Sequence, residues 1–444
     1  MTEIGTSSGV RTGASRAVAA VAAALVGMRF SFGPGITLPI IAALLLLPVW
    51  WPALRTFRWA RPLMVLGVLA LVSGAVLSLV FAGDRAVDSS LLVRESLTLL
   101  SMLSGIGLLL WARTQLATSH LAIAFALGAL VNVAITGGNT TNLWKFSLSF
   151  PLAFLALALA MRRSRWGELV VLGVVAVISV AADSRSFSSF ALIAGALVLL
   201  QLVPPRQLRS RPWLTLGGLA LLGITVFLVI QTLLVEGVLG SAAQQRTQAQ
   251  LDASGSLITG GRPELGAAMA LLGAQPLGYG SGTLPNMSDV IIAKNGMEAL
   301  SYDPDNGYVD RYLFGGHFEV HSVLGDLWIR FGLPGALFAL LLLAVAVHAA
   351  AVRVSLRRGS ALLALLLALG VWDMFFSPLL TSYNTLALLL ACALLSNAER
   401  ARLPRAHVGV TPPSFPRRAS DACPDPHPHS TRPRSGHAIV PDTP

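Results

Sequence analysis

The sequence is short of charged residues: Asp, Glu, Lys and Arg together make up only 12% of its 444 residues. Soluble domains carry about 25%, and a soluble fold of this length needs a charged surface that these residues cannot supply. Hydrophobic residues make up 54%, and the mean hydropathy is +0.70. Ordinary soluble enzymes, nucleic-acid-binding proteins and disordered proteins are therefore excluded for most of the chain. The composition predicts a polytopic membrane protein.

Lysine and cysteine are also scarce. Lys145 and Lys294 are the only lysines among 32 basic residues, a bias that indicates a GC-rich genome and says nothing about mechanism. The two cysteines, Cys392 and Cys423, lie in an apolar run and in a polar tail, so the sequence has no disulfide framework. No cluster of His, Cys, Asp and Glu has the spacing of a metal site. The sequence therefore predicts neither a metal nor a cofactor.

Long apolar runs fill most of the chain. A membrane-spanning helix needs about 20 mostly apolar residues, and about twelve such runs are present. Lipid offers no partners to backbone groups and the runs are too long for barrel strands, so an all-α fold of transmembrane helices is predicted. Prolines inside the runs, such as Pro39, Pro48 and Pro151, are not treated as breaks. Arginines before the first run resemble a signal peptide, but further spans follow at once, which favours an uncleaved helix. The runs are centred near Ala23, Leu44, Ala70, Gly105, Leu127, Leu155, Val174, Ala194, Leu221, Leu340, Leu366 and Leu390.

The positive charges fall on alternate connections between these runs. If the N-terminus is cytoplasmic, most of the arginines lie in inner segments and in the C-terminal tail. The positive-inside rule therefore predicts that both termini are cytoplasmic. This distribution accounts for most of the net charge of +11, so the sequence requires no nucleic-acid partner.

One connection is much longer than the others. A segment of mixed polarity, roughly residues 236–328, separates the ninth and tenth spans, and the topology places it outside the cytoplasm. Loops longer than about 15 residues are usually functional or disordered, and this one has aromatic residues and helical stretches, so we expect it to carry the function. Residues 399–444 are rich in Pro, Arg, Ser and His and predict a disordered tail, although His427 and His429 could suggest metal binding. The chain thus divides into a transmembrane domain, residues 1–398, and a cytoplasmic tail.

Two arginines lie at positions that suit contact with a phosphate group. Arg185 lies in Asp-Ser-Arg-Ser, a very short outer turn between the seventh and eighth spans, although it could simply snorkel to the interface. Arg262 comes before Pro263, which suits the first position of a helix. A helix N-terminus favours an anion such as a diphosphate; the alternative is a surface helix with an exposed arginine. The residues that follow give this helix an apolar face: Leu265, Met269 and Leu272.

His321 and Asp373 are further candidates. His321 begins His-Ser-Val-Leu-Gly-Asp at the mouth of the tenth span, where a histidine can act as a neutral base, although a lone histidine is more often structural. Asp373, near the outer end of the eleventh span, would cost about 2.5–3.5 kcal/mol in mid-membrane, and such residues are functional candidates by default. Between these sites, Pro276-Leu-Gly-Tyr-Gly-Ser-Gly282 lacks the ending of a phosphate-binding loop and predicts only a tight turn.

Together these stretches resemble the O-antigen ligase and O-antigen polymerase superfamily of bacterial membrane glycosyltransferases. The resemblance rests on Ser-Arg at a short outer turn, Gly-Arg opening a helix, Pro-Leu-Gly-Tyr-Gly-Ser-Gly, and His-Ser-x-Leu before Gly-Leu-Pro-Gly-Ala-Leu. It covers roughly residues 95–395, and the last motif is the most specific. The sequence departs from the family where Gly-Arg-Pro-Glu-Leu is followed by Gly-Ala, since many members carry a tryptophan there.

The resemblance implies a metal-independent enzyme in the bacterial cytoplasmic membrane. Such an enzyme moves a glycan from a polyprenyl-diphosphate carrier to an acceptor hydroxyl at the outer face. By the same resemblance, Arg185 and Arg262 bind the lipid diphosphate and His321 activates the acceptor, while Arg311 and Asp373 take supporting roles. The acceptor, whether glycan, lipid or protein, and the choice between ligase and polymerase stay open.

A lipid-linked glycan flippase or another secondary transporter is the second hypothesis. Transporters tend to have internal repeats and charged or broken helices at the bilayer midplane. This sequence has no matching halves, and its long loop is off-centre. The hypotheses differ in placement: a transferase gathers its arginines and histidine at the outer membrane face, and a transporter arranges them around a central cavity.

Overall fold

The computed structural model describes residues 6–33, 35–202, 241–254, 262–305 and 307–401, with scattered positions between 217 and 237. Most of these residues are helical. The predicted all-α class is confirmed. Strands β1 (Ser31–Phe32) and β2 (Ile36–Thr37) form one small antiparallel hairpin. The α-helices are α1 (Thr6–Met28), α2 (Leu38–Leu45), α3 (Leu47–Ala53), α4 (Ala60–Val80), α5 (Ser89–Gln115), α6 (Thr118–Thr136), α7 (Ser149–Ala160), α8 (Arg165–Ala181), α9 (Arg185–Leu202), α10 (Ser241–Ser254), α11 (Glu264–Ala274), α12 (Met287–Glu298), α13 (Val323–Ser355), α14 (Ala361–Phe376), α15 (Leu379–Ala393) and α16 (Asn397–Ala401). Two π-helical turns are Trp144–Leu148 and Val309–Leu313.

Five helices among the described residues are long and apolar enough to cross a membrane, and the bent pair α2–α3 gives a sixth if it is one crossing. Apolar helices of this length are what a bilayer requires of a spanning protein. Several other apolar helices are shorter, so the total of about twelve spans stays a prediction. The five are Ala60–Gly83, Ser89–Gln115, Thr118–Thr136, Arg185–Leu202 and Val323–Ser355.

The apolar run predicted near Leu44 is broken. Helices α2 and α3 are separated at Leu46, and their axes differ by 84°. Pro48 lies at the start of α3, where its missing N–H interrupts the helical hydrogen bonding. The assumption that prolines do not break these runs was therefore wrong for Pro48. Pro39 and Pro151 lie in the first turns of α2 and α7, where proline is tolerated.

Helix α5 lies at the centre of the bundle. In its most apolar stretch 83% of the residues are buried, compared with 28–50% in the other four long helices. It packs against α1, α2, α3, α4 and α15. Asp88 caps its first turn by accepting a hydrogen bond from the N–H of Ser90 at 2.7 Å. Gly107 allows a close approach, since a Cβ there would lie 2.7 Å from the Trp50 ring.

Helix α13 is kinked near its start. Gly332 has a φ of 66°, and Pro334 lacks an N–H, so regular helical bonding cannot continue through this turn. The carbonyl of Ile329, one turn earlier, accepts hydrogen bonds from the N–H groups of Tyr279 and Gly280 at 2.7 and 3.1 Å. The glycine-rich turn is thus fixed against α13 and supports the fold.

The part of the long loop from residue 262 to 320 folds onto the start of α13. Helices α11 and α12 cross closely, because a Cβ on Gly266 would lie 2.1 Å from the carbonyl oxygen of Gly296. Arg85, in the turn between α4 and α5, binds the carboxylate of Asp289 on α12 with two hydrogen bonds of 2.9 and 2.7 Å. The buried side chains here form a second apolar cluster: Ala267, Leu271, Tyr279, Ala293, Met297, Val309, Leu313, Phe314, Phe318, Val320, Trp328 and Ile329.

Two predicted features lie largely outside the described residues. The span near Leu221 is described only at scattered helical positions, and the tail is not described beyond Ala401. Glu399, assigned to the tail, belongs to the short helix α16 and accepts hydrogen bonds from Arg353 at 3.3 and 3.4 Å. The first residues assigned to the tail are therefore helical.

Candidate functional site

A pocket that is open to solvent, about 290 Å³ including the space at its mouth, lies between α11, the residues just before α13, and the end of α14. Its wall brings together two of the predicted site residues, Arg262 and His321. Glu264, which the sequence analysis did not select, also lines it. The other lining residues are Leu265, Ala268, Val320, Ser322, Phe375 and Phe376.

Arg262 comes just before a helix, as predicted. The helix α11 begins at Glu264, and Pro263 is its N-cap. The Cζ atom of Arg262 lies over the indole of Trp372, 5.4 Å from the ring centroid. Because Trp372 belongs to α14, this cation–π contact holds the guanidinium between the loop and the helix bundle. A guanidinium beside a helix N-terminus is suited to bidentate binding of phosphate.

The apolar face predicted for α11 is exposed. Leu265, Met269 and Leu272 have exposed fractions of 41%, 60% and 37%, whereas Ala267 and Leu271 are fully buried. The face of this short helix that contains Gly266 and Ala267 contacts the protein, because these small residues permit close packing on α12. An exposed apolar face on a helix outside the bundle is suited to contact with lipid at the membrane surface.

His321 has a strained backbone that its neighbours hold in place. Its φ is 49°, in the left-handed region that costs a non-glycine residue of order 1 kcal/mol or more. Ser322 is the N-cap of α13, since its hydroxyl accepts the N–H of Gly325 at 3.1 Å. The same hydroxyl donates to the carbonyl of Met374 at 2.9 Å. The His-Ser sequence is thus a helix start that is anchored to α14.

Asp326 anchors the other side of this segment. It is fully buried, and one carboxylate oxygen accepts the N–H of Val320 at 2.9 Å. The second oxygen accepts the N–H of Leu379, the first residue of α15, also at 2.9 Å. Asp326 therefore fixes the backbone just before His321 to two helices of the bundle.

Glu319 lies between two histidines and a buried arginine. One of its oxygens is 3.1 Å from Nε2 of His317 and 3.7 Å from Nη2 of Arg330. The other oxygen is 3.6 Å from Nε2 of His321. Arg330, only 3% exposed, also donates a hydrogen bond of 2.7 Å to Glu95 on α5. Arg330 therefore balances the negative charge of both glutamates.

Glu319 is ionised near neutral pH. Burial raises the pKa of its carboxyl. The hydrogen bond with His317 and the positive charge of Arg330 lower that pKa by more than burial raises it, so the pKa lies below the ordinary 4.5. A carboxylate in this position can orient the imidazole of His321 and stabilise its protonated form.

The His321 ring has one nitrogen directed at Glu319 and one left for a ligand. Nδ1 is buried and has no hydrogen-bond partner in the structure as described. Tyr308 lies beside the ring, with 6.4 Å between the ring centroids. His321 lines the pocket, and Nδ1 is the ring nitrogen without a partner in the described protein.

Glu264 and Tyr308 form a second polar pair at the pocket. The Tyr308 hydroxyl donates a hydrogen bond to Oε1 of Glu264. Burial and this hydrogen bond raise the pKa of the Tyr308 hydroxyl above its usual range, so it stays a donor at neutral pH. Oε2 of Glu264 is buried and accepts no hydrogen bond.

Arg185 is not among the residues that line the pocket. It is the first residue of α9, and its Nε donates to Asp183 at 3.2 Å, while Nη2 is buried without a hydrogen-bond partner. Helix α9 packs on α14, where the rings of Phe190 and Trp372 lie 5.6 Å apart. Trp372 also contacts Arg262, so it connects Arg262 with the helix that begins at Arg185.

The two supporting candidates lie elsewhere. Arg311 is exposed in the π-helical turn Val309–Leu313 and is outside the pocket lining. Asp373 follows Trp372 on α14, is half-buried, and lies near the side chains of Ser377 and Ser382. These contacts give Asp373 a role at the end of α14, where the chain turns into α15.

Four groups that complete this region were not predicted from the sequence: Glu264, Tyr308, Glu319 and the Arg330–Glu95 pair. A usable signal existed for the last, because opposite charges in two apolar helices are functional candidates by default. Glu319 lies two residues before His321, and its alternation with His317 and His321 places the three on one side of an extended segment. Glu264 and Tyr308 are 44 residues apart, and nothing local indicates their contact.

The assembled site offers a cation for a phosphate, an imidazole nitrogen for a proton, and a carboxylate behind the imidazole. Within the described parts of the chain, His, Cys, Asp and Glu form no group of three that could hold a metal ion. No family model, curated protein or solved structure matches the chain.

Proposed function

We propose that the chain is a membrane glycosyltransferase of the O-antigen ligase or polymerase kind. It moves a glycan from a polyprenyl-diphosphate carrier to an acceptor hydroxyl. The observation that carries the proposal is that Arg262 and His321 line the same pocket. These are the two groups that a transfer from a diphosphate needs: a positive charge for the leaving group and an acceptor for the proton.

The reaction follows from this pairing. The oxygen of the acceptor hydroxyl attacks the anomeric carbon of the glycan, and its proton passes to Nδ1 of His321. The bond between the anomeric carbon and the diphosphate oxygen breaks, and the carrier diphosphate leaves with the electron pair. Arg262 stabilises the negative charge that grows on the diphosphate, with Arg185 contributing from α9. Glu319 orients His321 and stabilises the imidazolium until its proton is released.

The membrane placement is part of the proposal. The chain crosses the bacterial cytoplasmic membrane about twelve times, has both termini in the cytoplasm, and carries the pocket and the segment 236–328 on the outer face. The alternation of arginine-rich connections supports this orientation. The second hypothesis, a flippase or other transporter, expects charged groups around a central cavity. Arg262 and His321 instead gather at the start of α13 and the end of α14, which favours a transferase.

The test is a deletion strain complemented with variants of the chain. Loss of the gene is expected to leave glycan on its lipid carrier: full-length polymer for a ligase, single repeat units for a polymerase. Wild type and His348→Ala, a substitution at an exposed histidine far along α13, should clear this material, and His321→Ala should not.

The matching assay uses purified protein and the lipid-linked glycan extracted from the deletion strain. His321→Ala is expected to lose the roughly 10²–10⁴-fold that a general base contributes while still binding the donor. Turnover near that of wild type in His321→Ala would show that His321 is not the base and would favour the transporter hypothesis.

A further inference from the structure

Glu264 has a carboxylate oxygen that the protein leaves unused. The residue is 5% exposed and is part of the pocket wall. Oε1 accepts the Tyr308 hydroxyl, and Oε2, also buried, accepts nothing. The glycosyltransfer reaction proposed above uses neither atom.

An unfilled oxygen on a buried carboxylate is costly. Taking a carboxylate out of water without compensating hydrogen bonds is strongly unfavourable. Glu264 is the first residue of α11, so the helix N-terminus offsets part of that cost. The helix dipole does not supply a hydrogen to Oε2. Because a polar group buried at a pocket wall needs a donor, the missing donor belongs to whatever fills the pocket.

The chemistry of the neighbours selects the kind of donor. An ionised carboxylate only accepts hydrogen bonds, so its partner must carry O–H or N–H groups. A phosphate would be repelled by Glu264 and fits the Arg262 side of the pocket. Tyr308, held as a neutral hydroxyl, donates its one hydrogen to Oε1 of Glu264 and leaves Oε2 for a ligand. A carboxylate beside a neutral hydroxyl suits a neutral ligand with adjacent hydroxyl groups.

We propose that Glu264 and Tyr308 form a hydroxyl-binding subsite that takes a sugar ring. This rests on the proposed function, because the sugar is part of one of the two glycosyltransferase substrates. Its source is either the first sugar of the lipid-linked donor or the sugar of the acceptor. In both cases the Glu264 carboxylate accepts a sugar hydroxyl through Oε2, and Tyr308 fixes the orientation of that carboxylate.

The first test measures saccharide binding without any turnover. Purified protein in nanodiscs is titrated with a panel of methyl glycosides by saturation-transfer NMR, and in parallel with inorganic diphosphate. Glu264→Gln keeps the shape and removes the charge, so it should weaken methyl glycoside binding about tenfold, the value of a hydrogen bond to a charged group. Glu298→Gln makes the same change at an exposed residue at the end of α12 and should bind like wild type.

Diphosphate binding separates this inference from the proposed function. It should depend on Arg262 and be kept, or strengthened, in Glu264→Gln. Glycoside binding that is equal in wild type and Glu264→Gln, or undetectable in wild type, overturns the subsite, and the glycosyltransferase proposal then stands if Arg262-dependent diphosphate binding remains. If Glu264→Gln fails to fold, Tyr308→Phe is measured instead. Tyr308→Phe keeps the charge of Glu264 but removes the hydrogen bond that orients its carboxylate. Unchanged glycoside affinity in this variant also overturns the subsite.

Turnover assays then identify the source of the sugar. With donor extracted from the deletion strain, a rise of the acceptor KM alone in Glu264→Gln assigns the subsite to the acceptor. A rise of the donor KM alone assigns it to the first sugar of the donor. Unchanged KM values for both substrates overturn the inference.

Discussion

Nε2 of His321 lies 3.6 Å from a carboxylate oxygen of Glu319. This contact is slightly longer than a hydrogen bond, as is common for catalytic pairs before substrate binds. The other oxygen of Glu319 is held by His317 at 3.1 Å, so the carboxylate cannot swing freely toward His321. In the proposed reaction Glu319 is therefore a positioning residue, which contacts the base and not the substrate.

We expect Glu319→Gln to lower turnover about tenfold or more while donor binding stays as in wild type. The amide keeps the size of the side chain but no longer stabilises the imidazolium that forms when His321 takes a proton. The measurement is kcat and KM with the extracted lipid-linked donor, and Glu298→Gln is the control. Glu319→Asp keeps the charge and should recover part of the loss. A variant in which KM rises and kcat is unchanged would contradict a role through His321.

The same carboxylate predicts a pH dependence of stability. Its pKa in the fold is below 4.5, so between the two values the unfolded chain binds more protons and stability rises with pH. The contribution of Glu319 is therefore fully present above about pH 4.5 and is lost as the pH falls through the lower pKa of the folded state. Thermal unfolding in detergent should show wild type above Glu319→Gln at pH 7, with the gap closing below the ordinary pKa of 4.5. A gap of constant size across this range would mean that Glu319 is not ionised as described.

The helical class and two residues of the pocket were predictable because they depend on local sequence. Runs of apolar residues indicate helices, and Gly-Arg-Pro before an apolar stretch indicates a helix start with an arginine beside it. The Arg330–Glu95 contact joins residues 235 positions apart, and no periodicity places them together. The exposed face of α11 was ambiguous for a different reason: in a membrane protein apolar spacing does not distinguish a face that meets protein from one that meets lipid.

Arg262 should not tolerate lysine. Lysine keeps the charge but loses the planar fork that grips a phosphate and stacks on Trp372. Arg262→Lys is therefore expected to reduce kcat/KM about tenfold to a hundredfold, the range for hydrogen bonds to charged groups. Arg311→Lys, the same change at an exposed arginine outside the pocket lining, serves as the control and should keep wild-type activity. Equal activities of the two variants would contradict a specific role of the Arg262 guanidinium in activity.

The proposed orientation can be tested with single cysteines. Ser288 is exposed on α12, within the loop segment 262–320. Ser355 is the last residue of α13 and lies next to Arg353, Arg357 and Arg358 in the sequence. By the positive-inside rule we expect the arginine-rich end of α13 in the cytoplasm and Ser288 outside. After Cys392 and Cys423 are replaced by alanine, an impermeant thiol reagent should label Ser288→Cys in intact spheroplasts and Ser355→Cys only after permeabilisation. Both variants should react once detergent is added, which controls for access. Labelling of Ser355→Cys but not Ser288→Cys in intact cells would place the pocket in the cytoplasm, where a donor displayed on the outer face could not reach it.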